Sequence, residues 1–188
     1  MTTWQLSPTA DARFRQEMGF AAERLVRDHM AGALWPGCTM LGSAGHFYDT
    51  HVKVDFWIQQ RLAEQPQGVQ VKMDATADAN VFLEWLDQRG NPSWAHPKRP
   101  AALRWVVLVL PRLDLVLRLN PDHLHPHAPT WMNRYNPQRR RNAHGILGTP
   151  APLVEVLRWA KAGVHQELTN DLGPWLERQA RKALDWTP

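Results

Sequence analysis

The stretch "GVQVKMD", residues 68–74, alternates apolar and polar side chains in the manner of a β-strand. Because successive side chains of a strand point to opposite faces, one face is apolar while Gln70, Lys72 and Asp74 share the other. That second face combines an amide, an ammonium and a carboxylate, so it is equipped for chemistry. The stretch therefore predicts a core strand that carries a functional site.

A second strand with the same alternation precedes it in "HVKVDFWI", residues 51–58. Its apolar members are expected to share one face: Val52, Val54, Phe56 and Ile58. The connection between the two stretches is short and polar, which predicts that the strands are antiparallel neighbours. With both apolar faces on one core, Asp55, Gln70 and Lys72 are expected to project together on the opposite side.

The bulk composition is that of one globular domain. Of 188 residues, 44% are hydrophobic and 21% are charged, which is ordinary for a protein that buries a sizeable core. No apolar run approaches the roughly 18 residues that span a bilayer, and the first residues lack a signal peptide's hydrophobic stretch. We therefore expect a soluble, cytoplasmic protein without a membrane partner. Cys38, the single cysteine, is expected to be a semi-buried apolar residue.

The net charge of +4 is moderate and by itself only weakly favours a nucleic-acid partner. Its distribution is more informative, because "NRYNPQRRRNAHG", residues 133–145, concentrates four arginines: Arg134, Arg139, Arg140 and Arg141. This composition suits contacts with phosphate groups. A solvated surface loop is the alternative interpretation.

The helices are predicted from hydrophobic spacing. A long first helix runs from the Ser7-Pro8 start through Leu34, with an apolar stripe on one side and Glu23 at its margin. The stripe consists of Phe14, Met18, Ala21, Ala22, Leu25, Val26 and His29. The second helix is predicted over residues 77–90, "ADANVFLEWLDQRG", and two short helices, within residues 152–163 and 173–186, close the chain.

Further strands are expected on both sides of that second helix. Residues 39–50 supply a first strand, and "LRWVVLVL", residues 103–110, is a continuous apolar run typical of a strand buried on both faces. "LDLVLRL", residues 113–119, follows as another strand, and the segment from Asn120 to Pro150 has an irregular composition.

The order of helix, three strands, helix and strand resembles the core of the PD-(D/E)xK nuclease superfamily. That restriction endonuclease-like fold is α/β, with a mixed β-sheet flanked by helices. Its motif is a helix glutamate, a strand aspartate and an acidic-x-Lys triplet on the next strand, matched here by Glu23, Asp55 and Gln70-Val71-Lys72. The stretch "GFAAERLV", residues 19–26, is similar to the first-helix signature of Holliday-junction resolvases. The Gln-x-Lys variant resembles that of Mrr-type restriction endonucleases.

The resemblance covers roughly the first 120 residues of the chain. It implies a single nuclease-like domain over residues 1–188, with a core at about 7–120. A basic loop and a helical C-terminal extension follow at about 121–188.

The activity that the resemblance implies is divalent-metal-dependent hydrolysis of phosphodiester bonds in DNA. Mg²⁺ or Mn²⁺ would be held by Asp55, the side-chain carbonyl of Gln70, the backbone carbonyl of Val71 and Glu23. Lys72 would orient the attacking water or stabilise charge on the phosphoryl group. The catalytic set is therefore Glu23, Asp55, Gln70 and Lys72. Gln70 stands where the family usually has Asp or Glu, which puts the metal affinity in question.

The DNA itself would be contacted by Lys53 together with Arg134, Arg139, Arg140 and Arg141. A homodimer is a further expectation, because related enzymes cut two strands.

Three alternatives stay open. Asp55 and Lys72 could form a simple cross-strand ion pair. The fold could carry a catalytically inactive DNA-binding or assembly module. Finally, His123, His125 and His127 alternate in "DHLHPHAPTW", as in some transition-metal sites, although a solvated or phosphate-facing loop is the simpler interpretation.

Overall fold

The computed structural model describes most of the chain. The described residues are 8–45, 49, 52–61, 64–75, 77, 79–124, 140–141, 145–165 and 171–185, with the backbone alone for 8–10, 140–141 and 164–165.

A long helical segment opens the fold, as its apolar stripe predicts. It begins as α1 (Pro8–Arg24), continues through a π-helical stretch (Leu25–Met30) and ends as the short α2 (Ala31–Leu34). A π-helix has more residues per turn than an α-helix. Met30 is therefore buried where α-helical spacing predicts His29, which is exposed instead.

The strands and the later helices follow in an order that confirms the mixed α/β class. The described strands are β1 (Thr39–Ser43), β2 (Phe56–Gln59), β3 (Gln67–Met73), β4 (Asn80–Leu86), β5 (Leu103–Leu110), β6 (Leu115–Leu119), β7 (Arg140–Arg141), β8 (Leu147–Pro152) and β9 (Gly163–His165). The remaining helices are α3 (Pro121–Leu124), α4 (Leu153–Ala160) and α5 (Leu172–Asp185). The two predicted closing helices are confirmed as α4 and α5.

Within the described ranges, six strands form one mixed sheet in the order β1-β2-β3-β5-β6-β9. β2 and β3 are antiparallel neighbours, as predicted, and Phe56 lies opposite Val69. β3 pairs in parallel with β5, whereas β5 and β6 are antiparallel. The pair β3 and β5 therefore forms the centre of the sheet.

The predicted helix over residues 77–90 is wrong. Residues Asn80–Leu86 form β4, which pairs with β8 in a second sheet of order β4-β8-β7. Val81, Leu83 and Trp85 are buried, so the burial has the period of two expected of a strand. A short apolar run with β-branched and aromatic residues fits either period, and the pairing with β8 decides between them.

Two hydrophobic cores lie on opposite faces of the six-stranded sheet. On one face, Val107 and Val109 of β5 join the cluster that includes α1 and α5. On the other face, Val106 and Leu108 join the cluster that includes β4 and α4. β5 is therefore buried on both faces, as its apolar run predicts.

The predicted shared face of residues 52–58 is wrong in part. Phe56 and Ile58 belong to the helix-side core, whereas Val54 belongs to the opposite core. Side chains alternate only within a regular strand, and β2 begins at Phe56 after Lys53 adopts a left-handed backbone with φ of 60°. The absence of a side chain at Gly68 leaves room for Val54 on this face, because a Cβ atom at residue 68 would lie 2.5 Å from the Val54 side chain.

The C-terminal segments join both cores rather than lying apart from them. Leu172 and Leu176 of α5 pack in the helix-side cluster, and Val156 and Ala160 of α4 pack in the other.

Among the described helices, none is long and apolar enough to cross a membrane.

Candidate active site

Asp55 lies immediately before β2 and is held by three backbone contacts. Its amide donates to the Val69 carbonyl at 2.8 Å, and its own carbonyl accepts from the Ala44 amide at 2.8 Å. Its carboxylate accepts from the Val71 amide, with 2.5 Å between N and Oδ2. The pairing of β2 with β3 ends at Phe56 and Val69, so the carboxylate satisfies the next outward-facing amide of β3.

The same geometry places the Val71 carbonyl at the edge beside Asp55. In a strand, the amide and carbonyl of one residue point to the same edge, and those of the next residue point to the other edge. Because the Val71 amide faces Asp55, its carbonyl oxygen faces that side too. The Val71 carbonyl oxygen and the Asp55 carboxylate thus lie on the same side of β3, just beyond the point where its pairing with β2 ends.

A pocket of about 120 Å³ opens beside Asp55. Its lining residues come from α1, from the π-helical stretch, and from the ends of β1 and β2 with their connection: Glu23, Arg27, Ser43, Ala44, Asp49, Asp55 and Phe56. Glu23 is half-buried at the end of α1. The structure therefore brings the predicted helix glutamate and strand aspartate to one pocket.

The carboxyl groups of Asp55 and Glu23 lie in an environment that disfavours their negatively charged forms. Burial, followed by the nearby charge of Glu23, raises the pKa of Asp55 from 3.8 to about 7, although the Val71 amide and Lys72 act in the opposite direction. Burial and then Asp49 raise the pKa of Glu23 as well. A cation bound between these carboxylates would stabilise their charged forms and lower both pKa values.

Gln70 and Lys72 face the second sheet, so the expected open polar face is in fact covered. Gln70 is 3% exposed and does not line the pocket. Within the described part of the chain, its Oε1 atom is buried without a hydrogen-bond donor. A buried acceptor without a donor lowers the stability of the folded state unless a ligand or a water molecule forms a hydrogen bond with it.

Lys72 forms an ion pair with Glu84 of β4, with 3.6 Å between Nζ and Oε2. Burial by itself lowers the pKa of Lys72, but the charges of Glu84, Asp55 and Glu23 outweigh burial, so its pKa is raised. The ammonium therefore stays protonated at neutral pH. Within the described part of the chain, Lys72 forms its ion pair with Glu84 and not the simple cross-strand pair with Asp55.

The predicted DNA-binding residues are placed only in part. Lys53 pairs with Asp87 across 3.5 Å, so its charge is balanced within the protein. Arg134 and Arg139 lie outside the described residues, and Arg140–Arg141 are described only as the backbone of β7.

The histidine-rich segment is described only at its start. His123 lies in α3 with Nδ1 3.3 Å from the Ala160 carbonyl oxygen, and His125 and His127 lie outside the described residues. Across the described ranges, no three His, Cys, Asp or Glu side chains are grouped closely enough to hold a metal ion by themselves. A metal in the pocket would need backbone or substrate oxygens too.

Sequence reasoning missed three residues at or near the site. Arg27 lies four residues after Glu23, so helical spacing alone places both on the same side. Asp49 lies in a polar stretch with no pattern of its own. Glu84 was missed because residues 77–90 were predicted to form a helix, whereas Glu84 approaches Lys72 only when this segment is the strand β4.

Arg27 contacts Ser43 and Asp28 at the pocket wall. Its Nη1 donates to Ser43 Oγ at 2.9 Å, while Nε and Nη2 donate to the two carboxylate oxygens of Asp28 at 2.6 and 2.9 Å. A guanidinium has five N–H groups, so each terminal nitrogen keeps one for a ligand.

Comparison of the chain with protein-family models, with curated proteins and with solved structures finds no match.

Proposed function

We propose that this protein is a divalent-metal-dependent deoxyribonuclease of the PD-(D/E)xK type. The observation that carries the proposal is the hydrogen bond from the Val71 amide to Asp55 at a pocket that Glu23 also lines. It brings the helix glutamate and the strand aspartate together beside the backbone of the Gln-x-Lys strand, whose Gln70 and Lys72 side chains do not line that pocket. A long first helix, three antiparallel strands and a parallel partner strand support the same assignment, although β4 replaces the expected connecting helix.

The donor set of the pocket fits a hard divalent cation. Asp55 and Glu23 offer carboxylate oxygens, and the Val71 carbonyl faces the same edge. These are the oxygen ligands that Mg²⁺ and Mn²⁺ prefer, and Mg²⁺ commonly keeps several waters. The orphaned Oε1 of Gln70 fits such an ion only if its side chain reaches the edge beside Val71. A bound cation supplies neutralisation of the phosphoryl oxygens and activation of water.

The remaining polar groups have distinct roles in this proposal. Lys72 keeps its positive charge beside Asp55, where it orients the attacking water or stabilises charge on the phosphoryl group. Arg27 contacts a phosphate with the N–H groups that Asp28 and Ser43 leave available. Asp49 adds negative charge at the pocket mouth and favours cation entry.

DNA is the proposed substrate, with the arginine run at residues 134–141 as an additional phosphate-binding surface. Cytoplasmic location and a homodimer complete the proposal, since two copies would cut both strands of a duplex.

One observation favours a second candidate, a catalytically inactive DNA-binding or assembly module on the same fold. Gln70 replaces an acidic residue and does not line the pocket, so the cation would have fewer charged ligands. This module would bind DNA but would not hydrolyse it with any divalent ion.

Cleavage assays with duplex, single-stranded and branched DNA distinguish the two candidates. The wild-type protein should cut at least one of these with Mg²⁺ or Mn²⁺ and none with EDTA. Asp55→Asn keeps an oxygen for the Val71 amide but loses the charge, so it should be inactive. Asp185→Asn, an exposed change at the end of α5, should match the wild type. DNA binding without metal-dependent cleavage would favour the inactive module.

A further inference from the structure

We propose that Glu84 is a positioning residue for Lys72, which it reaches from the second sheet. The inference rests on the proposed function and deepens it, because it adds a residue outside the nuclease motif to the catalytic machinery. Glu84 does not line the pocket, so its effect on catalysis would pass through the lysine.

The contact joins the two sheets. Lys72 lies on β3 of the six-stranded sheet and Glu84 lies on β4 of the second sheet. Their charged atoms are 3.6 Å apart, and the two side chains are 32% and 13% exposed. Because the pair is only partly exposed, solvent and salt screen it less than a fully exposed surface pair.

Glu84 is itself fixed by the segment that follows β4. The Ser93 hydroxyl donates to the same oxygen, Oε2, at 3.0 Å. Ser93 is buried, and its amide donates to the Trp85 carbonyl at 2.8 Å, while the Ala95 amide donates to the Glu84 carbonyl at 3.1 Å. The segment thus runs along the edge of β4, and Glu84 has little freedom to leave Lys72.

This arrangement decides where the ammonium lies. A lysine side chain has four rotatable bonds, and Asp55 and Glu23 are both near enough to attract it. If Lys72 moved to those carboxylates, it would occupy the oxygens that are proposed to bind the cation. By holding Nζ at the second sheet, Glu84 keeps these oxygens available and leaves the charge of Lys72 beside the site.

Three variants test the inference through steady-state kinetics. Glu84→Gln removes the charge, Glu84→Asp keeps the charge but shortens the reach, and Ser93→Ala loosens the glutamate. We expect kcat to fall about tenfold to a hundredfold in both Glu84 variants, since misplacement of about 1 Å can cost that much, with KM nearly unchanged. Ser93→Ala should show a smaller fall. Glu64→Gln, which alters an exposed ion pair with Arg61, is the matched control and should retain wild-type kcat.

A second measurement does not depend on activity. NMR relaxation of the Lys72 Cε group in metal-free protein should report an ordered side chain in the wild type and in Glu64→Gln, and a mobile one in the Glu84 variants. Circular dichroism checks that each variant is folded. If Glu84→Gln does not fold, Ser93→Ala decides both measurements.

The possible outcomes separate the inference from the proposed function. Wild-type cleavage with unchanged kcat in the Glu84 variants would overturn the positioning role and leave the nuclease assignment intact. If the wild type cuts no DNA, the nuclease assignment fails, and the relaxation data alone decide whether Glu84 orders Lys72. Unchanged Lys72 mobility in the variants would overturn the inference in either case.

Discussion

The amide of Val71 donates a hydrogen bond to Oδ2 of Asp55 across 2.5 Å. This contact joins residues 16 positions apart and ties the start of β2 to the middle of the Gln-x-Lys strand. It forms because β2 begins one residue after Asp55, which leaves the next amide of β3 for a side chain instead of a strand neighbour. The position of the carboxylate is therefore set by where a strand begins.

The stability of the metal-free protein should fall as the pH rises through the titration range of Asp55. Its pKa is about 7 when folded, against an ordinary value of 3.8. Between about pH 4 and pH 7 the folded state keeps a proton that the unfolded chain has released, so raising the pH favours unfolding. Below this window both states are protonated and the full stability is present. Above it the loss is complete, on the order of 4 kcal/mol.

Urea unfolding in EDTA from pH 4 to pH 8 measures this effect. Asp55→Asn cannot ionise, so its stability should vary less with pH and exceed that of the wild type at pH 8. Mg²⁺ at pH 8 should raise the Tm of the wild type but not of Asp55→Asn. Parallel pH profiles for the two proteins would show that Asp55 is ionised in the folded state well below pH 7.

Lys72→Ala should abolish cleavage and should also reduce stability. The catalytic loss follows from removing positive charge beside the reacting phosphate. The loss of stability, about 1–3 kcal/mol, follows because the partly buried carboxylate of Glu84 loses its cationic partner and keeps the neutral Ser93 hydroxyl as a hydrogen-bond donor. Chemical denaturation and a cleavage assay measure the two effects separately. Comparable turnover by Lys72→Ala and the wild type would refute the catalytic role.

Gln70 offers a test of metal ligation with opposite expectations for two variants. Gln70→Leu removes an orphaned buried acceptor, so the metal-free protein should gain about 1–3 kcal/mol while activity falls and requires more metal. Gln70→Glu buries a charge and should destabilise the metal-free protein, but it should lower the Mg²⁺ concentration needed for activity. Activity titrations with Mg²⁺ across all three proteins decide the point. One common metal dependence would mean that Gln70 is not a ligand.

Arg27→Ala should reduce cleavage by about tenfold or more, because a charge-assisted contact with phosphate is lost at the pocket wall. Arg24→Ala is the matched control, since Arg24 is an exposed arginine on the same helix and does not line the pocket. Arg27→Lys should recover only part of the activity, because an ammonium cannot reproduce the two-nitrogen contact with Asp28. Equal rates for the Arg27 and Arg24 alanine variants would remove Arg27 from the site.

The arginine run should contribute to DNA affinity without sequence preference. Replacing Arg139, Arg140 and Arg141 with Ala should weaken binding to unrelated sequences alike. It should also reduce the slope of log Kd against log salt by about 0.9 for each lost phosphate contact. Fluorescence anisotropy over a salt series measures this slope. Arg178→Ala and Lys182→Ala on the exposed face of α5 serve as controls, and an unchanged slope would identify the run as a surface loop.

Regular alternation and helical spacing were sufficient to predict most strands of the central sheet, the long first helix and the two closing helices, but not the identity of residues 80–86. β3 and β5 carry strong local patterns, and the long first helix has a continuous apolar stripe. The approach of Glu23 to Asp55 was implied by the resemblance to the nuclease motif, whereas spacing alone placed Glu23 only at the margin of the apolar stripe.

Tertiary contacts decided the rest. The stretch around Glu84 fits helical and strand spacing equally well, and it becomes β4 by pairing with β8, whose residues lie more than 60 positions further along the chain. The side of the sheet that Val54 occupies depends on the backbone of Lys53 and on space above Gly68. Local patterns record which side chains prefer burial. Partners distant in sequence, which no local pattern contains, determine the element that buries them and therefore the contact between Glu84 and Lys72.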